Sequence, residues 1–267
     1  MMGDKGAGAS AIAKADRTSV TIRGRDLCDD LIGKVDFTRF FFLHLTGQMP
    51  TDDQAFFLDA VLVALAEHGL TPSAQAARMT LSAGPDAIQG AVAAGILGCG
   101  SVILGSAEVA GKFLADGVAR IRAGEDADTV ARQMTQDLRS AKKFLPGFGH
   151  PLHRPVDPRA EKLLDLADAR GVSGPHVAFL RAVRGVADEI YGRPLVLNVN
   201  GPIPAIMLDL DFPMEALKGI AILCRTAGLI GHCLEELERP IGFRLAHLGD
   251  AGTAYDGEWP AGKTPAD

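Results

Sequence analysis

Residues 145–158 read Leu-Pro-Gly-Phe-Gly-His-Pro-Leu-His-Arg-Pro-Val-Asp-Pro and separate two long series of helical patterns. Four prolines and two glycines exclude a helix here, so we predict a long, irregular loop. Its glycines let the backbone approach a ligand closely. Arg159 follows at a helix start, where carboxylates and phosphates bind well. His150 and His153 could contact a metal, but no third ligand lies near them in sequence, so no metal site is predicted.

Helical patterns fill most of the remaining chain, because apolar residues recur at helical spacing. Thr51 followed by two acidic residues predicts one helix start. Strand patterns are limited to residues 19–22 and 195–199. The predicted helices are residues 36–46, 54–67, 72–82, 86–98, 102–122, 128–144, 159–169, 176–191, 203–210 and 214–238.

The amino-acid composition limits the classes of protein to which this chain can belong. The 267 residues are 47% hydrophobic and 22% charged, as in soluble globular enzymes. The net charge of −6 argues against nucleic acid as a partner. The four cysteines have no CxxC spacing, and residues 1–18 lack the apolar core of a signal peptide. We therefore expect reduced, buried thiols in a cytoplasmic protein.

Residues 87–107 carry no charge and are long enough to span a bilayer. Five glycines interrupt this stretch, and each costs about 1 kcal/mol in a helix relative to alanine. The 31 glycines of the chain are typical of closely packed helices. We therefore predict a buried helix pair that crosses at small residues, and no membrane partner.

Two further junctions between helices carry polar residues. Glu67-His68-Gly69 ends one helix, where a histidine can cap the helix or donate a hydrogen bond into a cleft. Asn198-Val199-Asn200-Gly201-Pro202 is a tight-turn pattern that can be purely structural. No dinucleotide or Walker loop is present, which excludes those two cofactor-binding classes.

Together these junctions resemble the citrate synthase superfamily, and most closely its citryl-CoA lyase branch, including the C-terminal module of ATP-citrate lyase. The matching segments run in order from about residue 19 to residue 244. They are residues 67–69, residues 146–150 with Asp157-Pro158-Arg159-Ala160, residues 198–201, and the Arg-Thr-Ala-Gly-Leu-Ile-Gly-His run at 225–232.

The resemblance implies an all-α fold of two domains with an active-site cleft between them. The implied large domain comprises residues 19–108 and 212–247, and the small domain residues 109–211. Residues 1–18 and 248–267 are expected to be flexible termini. The resemblance further implies a homodimer or a higher homo-oligomer.

The resemblance also implies roles for individual residues. His68 and His150 would hold the oxygen of an oxaloacetate moiety. Asn200 stands at the position of the catalytic aspartate in the family's Asn-Val-Asp turn. Carboxylates would be clamped by Arg159, Arg225 and Arg239, the last resembling an arginine supplied by a neighbouring subunit. Coenzyme A would lie along Gly147, Phe148 and Gly149, with its phosphates near Lys142 and Lys143. The implied ligands are acyl-CoA thioesters, as substrates, and di- or tricarboxylates, with no bound cofactor and no metal.

The sequence departs from the family pattern at three positions. Ile103 stands where citrate synthases carry a histidine, as in the lyase branch. Pro151 replaces a basic residue that is common after the Gly-Phe-Gly-His motif. Asn200 replaces the catalytic aspartate, and an amide cannot shuttle a proton near neutral pH.

Three functions remain open. One is a carbon-carbon lyase that cleaves citryl-CoA or a related 3-hydroxy-acyl-CoA to acetyl-CoA and oxaloacetate. The second is a condensing enzyme of citrate synthase type, and the third is a catalytically weak protein that binds CoA or dicarboxylates. The chain lacks the ligase modules of ATP-citrate lyase, so we expect a preformed thioester or a separate CoA-ligase subunit.

Overall fold

A computed structural model describes residues 8–262 and confirms the predicted all-α class. Its helices among these residues are α1 Phe37–Thr46, α2 Asp52–Ala66, α3 Pro72–Ala83, α4 Ile88–Leu104, α5 Ser106–Arg122, α6 Ala127–Ser140, α7 Pro158–Ala169, α8 Pro175–Tyr191, α9 Pro202–Asp209, α10 Leu217–Glu238 and α11 Gly242–Ala251.

Helix ends follow local chemistry. Thr51 caps α2 in a capping box with Gln54, as the predicted N-cap requires. Asp157 caps α7, and Pro158 occupies its first turn. The helix predicted to reach residue 144 ends at Ser140, because Lys142 adopts a left-handed backbone (φ 54°).

The strand predictions were partly wrong. Val20–Ile22 (β2) forms a small antiparallel sheet with Ala13–Ala15 (β1) and Arg25–Asp26 (β3). The predicted flexible N-terminal segment therefore contains an ordered strand. Residues 195–199 form no strand and contribute a single antiparallel bridge between Leu197 and Phe148.

The described chain forms two compact units, here called unit 1 and unit 2. Unit 1 comprises residues 8–67 and 101–224, and unit 2 residues 68–100 and 225–262. The boundaries of these units lie at other residues than the boundaries of the predicted domains. Helices α1 and α2 lie in unit 1 because they pack against the α7–α9 region; the rings of Phe42 and Phe212, for example, are 5.8 Å apart.

Unit 1 contains a continuous apolar core on which α5, α6, α8 and α9 converge. Gly117 of α5 lies directly against Phe179 of α8, and a Cβ atom at position 117 would lie 2.0 Å from the ring. The close contact of these helices depends on that missing side chain.

Unit 2 packs α3 and α4 against the C-terminal part of α10 through a small core of Ala74, Ala77, Leu81, Ala91, Leu229 and Cys233. A Cβ atom at Gly95 would lie 2.7 Å from Leu229, so α4 and α10 approach closely at a residue without a side chain. Helix α11 packs on α3 and runs to Ala251, so the terminus expected to be flexible from residue 248 begins inside a helix.

By length and composition, the helical stretches Ile88–Arg122 and Met214–Glu238 could also cross a membrane, a test that core helices of soluble proteins pass as well. All four cysteines are free. Cys99, Cys224 and Cys233 are buried as predicted, whereas Cys28 is exposed because it lies in a short π-helical turn, Leu27–Leu31, at the surface.

Candidate functional site

Two loops of unit 1 that are far apart in sequence run side by side. These are residues 145–157, which we call the histidine loop, and residues 195–201, which we call the asparagine turn. The amide of Gly149 donates to the carbonyl of Val196 at 2.7 Å, and the amide of Asn198 donates to the carbonyl of Gly147 at 2.9 Å. Two of the predicted junctions therefore form one local structure.

Glycine permits this close approach. Gly147 has φ 79°, and a Cβ atom there would lie 2.8 Å from the Cα of Gly201. The side chain of Asn198 holds the assembly together. Its Nδ2 donates to the carbonyl of Gly149 at 2.7 Å, and its Oδ1 accepts from the amide of Asn200 at 2.9 Å.

Asp157 is the buried anchor of the site, with no exposed surface. Its carboxylate accepts from Arg159 through Nε at 3.0 Å and Nη2 at 2.8 Å, and from the amide of Val199 at 3.1 Å. Burial raises the pKa of Asp157, but the hydrogen bonds and charge of Arg159 outweigh it, so the net pKa lies below the ordinary value. Asp157 therefore connects the arginine to the asparagine turn.

Arg159 keeps donors available for a ligand. Of its five N–H groups, one on Nε and one on Nη2 bind Asp157. The remaining groups on Nη1 and Nη2 can bind an anion. Nη2 lies 3.4 Å from Nε2 of His150, so the two side chains point to the same place.

The orientation of His150 follows from its backbone contacts. Its Nδ1 accepts from the amides of Leu152 at 3.1 Å and His153 at 2.9 Å. A neutral imidazole with Nδ1 as acceptor carries its proton on Nε2. We therefore assign His150 as a donor at Nε2, beside the donors of Arg159.

Asn200 is half-buried in the asparagine turn. Its side chain makes no hydrogen bond to any residue between 8 and 262, which leaves the amide available to a ligand. Asn200 directly follows Val199, whose amide binds the same Asp157 carboxylate that binds Arg159.

A cleft of about 320 Å³ lies beside the histidine loop. Phe148 lines it with one edge, although most of its side chain is in the core, and Gly149 contributes backbone. Within the described chain its cationic lining residues are Arg154 and Arg193, rather than Lys142 and Lys143. Sequence reasoning missed both arginines, because neither lies in a motif that we matched to the family.

The three other predicted site residues belong to unit 2. His68 follows the end of α2 and is half-buried, and Arg225 is half-buried on α10. The side chain of Arg225 makes no hydrogen bond or ion pair to any described residue. Arg239 follows α10, and its side chain is exposed.

The backbone beside Arg239 is held by a buried ion pair that sequence reasoning also missed. Nε of Arg78 lies 2.6 Å from Oε2 of Glu236, and Nη2 of Arg78 donates to the carbonyl of Arg239 at 2.9 Å. Oε1 of Glu236 also accepts from the amides of Ile241 and Gly242. Burial raises the pKa of Glu236, but the hydrogen bonds from Ser82, from Arg78 and from the amides of Gly242 and Ile241 outweigh it and lower the pKa to about 2.

The chain matches a known protein family. The family model for the citrate synthase C-terminal domain matches residues 7–244. The structure of citryl-CoA lyase from Hydrogenobacter thermophilus is 32% identical, with a TM-score of 0.83 and 97% of each chain covered. An ATP citrate lyase from Methanothrix soehngenii, solved with citrate and coenzyme A, is 24% identical with a TM-score of 0.77. That match covers 96% of this chain and 42% of the lyase.

Curated relatives are longer than this chain. A probable ATP-citrate synthase subunit 1 from Neurospora crassa is 29% identical over 69% of this chain and 29% of its own length. A citrate synthase from Haloferax volcanii is 26% identical over 79% of this chain and 54% of its own length. The chain therefore spans about a third to a half of these relatives.

Proposed function

Because the chain belongs to the citrate synthase family, whose members are enzymes, we propose that it cleaves citryl-CoA, or a related 3-hydroxy-acyl-CoA, to acetyl-CoA and oxaloacetate. The observation that carries the proposal is the convergence of Nε2 of His150 and the guanidinium of Arg159, 3.4 Å apart, beside the asparagine turn. The match to citryl-CoA lyase over 97% of both chains supports the lyase direction.

The reaction needs fixed hydrogen-bond donors. The tertiary hydroxyl loses its proton, the carbon–carbon bond breaks, and its electron pair moves to the leaving acetyl-CoA enolate. The hydroxyl oxygen becomes the ketone of oxaloacetate, and the enolate carbon then takes a proton. Donors held in place by the protein stabilise charge as it shifts between these oxygens. His150 would supply one such donor, and Arg159 would bind a neighbouring carboxylate with a forked geometry.

The thioester would occupy the cleft beside the histidine loop. Coenzyme A carries phosphates, for which Arg154 and Arg193 provide charge, and an adenine, for which Phe144 and Tyr191 provide apolar surface. A guanidinium N–H of Arg154 also donates to the carbonyls of His150 and His153. These bonds would link thioester binding to the position of His150.

A direct assay tests the proposal. Acetyl-CoA release from synthetic citryl-CoA should be measured for the wild type beside Asn200→Asp. We expect clear wild-type turnover, which would show that a carboxylate at position 200 is dispensable. A silent wild type activated by Asn200→Asp would contradict the proposal and favour the binding function. Silence in both, with CoA binding retained, would leave only a binding role.

We also propose a homodimer in the cytoplasm, supplied with citryl-CoA by a separate CoA-ligase. An exposed apolar surface of unit 2 supports self-association: Leu234 and Leu237 on α10 are each 54% exposed, and Phe243 on α11 is 73% exposed. Arg239 lies between these helices in the chain, where the family resemblance implies an arginine given to the neighbouring subunit.

Charged substitutions on this apolar surface test whether the chain forms a dimer. We expect Leu234→Glu with Leu237→Glu to convert a dimer into a monomer and to abolish citryl-CoA cleavage, because the apolar surface would become charged. Mass measurement by light scattering gives the readout. Ile32→Glu, at a position 63% exposed in unit 1, is the matched control and should leave the mass unchanged. A wild-type monomer that turns over would refute the dimer.

A further inference from the structure

The proposed cleavage requires a proton carrier that the asparagine turn does not supply. Asn200 has an amide, which neither gains nor loses a proton near neutral pH. Of the two described carboxylates that accept from amides of this turn, Asp188 binds Leu195 at its start and Asp157 binds Val199, the residue before Asn200. Asp157 is fully buried, and both of its oxygens accept from Arg159 or from the amide of Val199. It therefore holds the site together and has no surface from which to transfer a proton to a substrate.

His153 lies at this point and is not used by the mechanism above. Its ring packs on the ring of His150 with centroids 4.3 Å apart and planes inclined by 32°. Its Nε2 lies 4.0 Å from Oδ1 of Asp157, and 23% of its side chain is exposed. The ring is thus next to the donors of His150 and still accessible from outside the core.

We propose that His153 carries the proton that a carboxylate at position 200 would otherwise carry; this inference rests on the proposed lyase function. Imidazole changes its charge near neutral pH and is a common proton carrier in enzymes. The ring of His153 lies against the ring of His150, whose Nε2 would hold the substrate oxygen. The sequence places this histidine in the same loop, three residues after His150.

Within unit 1, the charged groups near His153 are Asp157, Arg159 and Arg154, and the ring of His150 lies beside it. Asp157 stabilises the imidazolium through space. Arg159 compensates most of that carboxylate's charge, because it binds both oxygens. His150 faces the ring from the same loop, and the guanidinium of Arg154 binds the carbonyl of His153.

The proposed step balances. Neutral His153 accepts the proton of the tertiary hydroxyl as the carbon–carbon bond breaks, which gives oxaloacetate, the acetyl-CoA enolate and an imidazolium. The imidazolium then donates the proton to the enolate carbon, which forms the methyl group of acetyl-CoA. His153 returns to its neutral form, and no oxidant, reductant or additional reactant is needed.

The test replaces the carrier and then supplies another. We expect His153→Gln to lower kcat for citryl-CoA cleavage by about 10²–10³, with KM within about threefold of the wild-type value. Adding Asn200→Asp to that variant should restore kcat at least tenfold, because a carboxylate would again be available. A purely packing role would not produce this rescue. His176→Gln is the matched control, since His176 pairs with buried Asp209 at 2.8 Å outside this site, and its kcat should be unchanged.

Each result has a definite meaning. A His153→Gln variant within threefold of wild-type kcat, or a loss that Asn200→Asp does not restore, would overturn the inference while leaving the lyase function intact. A wild type without turnover would refute the lyase function and the inference with it. If His153→Gln unfolds at assay temperature, His153→Asn is measured in the same pair of backgrounds and judged by the same limits.

Discussion

Arg159→Ala is expected to lower kcat/KM for citryl-CoA cleavage by about 10³-fold, because it removes the donors that face the ligand beside His150. It also leaves the carboxylate of Asp157 buried without its charged partner. Breaking a buried ion pair in this way costs about 3–5 kcal/mol, so the free energy of unfolding should fall as well. Steady-state kinetics and urea unfolding measure the two effects.

Two controls separate activity from stability. Arg184→Ala removes a largely exposed pair with Glu161 and should cost at most about 1 kcal/mol, with no loss of activity. Arg159→Lys retains the positive charge but loses the fork that binds both oxygens of Asp157, so we expect an intermediate loss. An Arg159→Ala variant that retains a tenth of wild-type activity would exclude a substrate-binding role for Arg159.

Glu236→Gln is expected to lower the free energy of unfolding by about 2 kcal/mol at neutral pH, since buried Arg78 loses the charge of Glu236 and keeps only the half-exposed Glu235 as an anionic partner. The same change should alter the acid dependence. In the folded chain the pKa of Glu236 is about 2, below its ordinary value of 4.5. Its contribution is therefore fully present above pH 4.5 and is lost as the pH falls toward 2.

The measurement is thermal or urea unfolding between pH 2 and pH 7 for the wild type and the variant. The wild type should lose stability more steeply than Glu236→Gln as the pH falls below 4.5. Glu238→Gln, at an exposed position on the same helix, should match the wild type throughout. Equal acid dependence in the wild type and Glu236→Gln would mean that the buried pair does not stabilise unit 2.

The local features of this protein could be predicted from sequence, because they depend on residues close together in the chain. The Thr51 capping box, the glycines that end helices and the prolines of the histidine loop act within a few residues of one another. Helix positions were therefore predicted well. Helix α11 was missed because it is held by packing on α3, which lies far earlier in the chain.

The family and the all-α class were thus determined by the sequence itself, since the motif residues follow one another in the family's order along the chain. Only the tertiary structure decided how they meet. The contact of Gly147 with Gly201, the anchoring of Arg159 and Val199 by Asp157, and the pairing of Arg78 with Glu236 join residues up to 158 positions apart. Such contacts have no local pattern, because burial and packing of the whole unit select them.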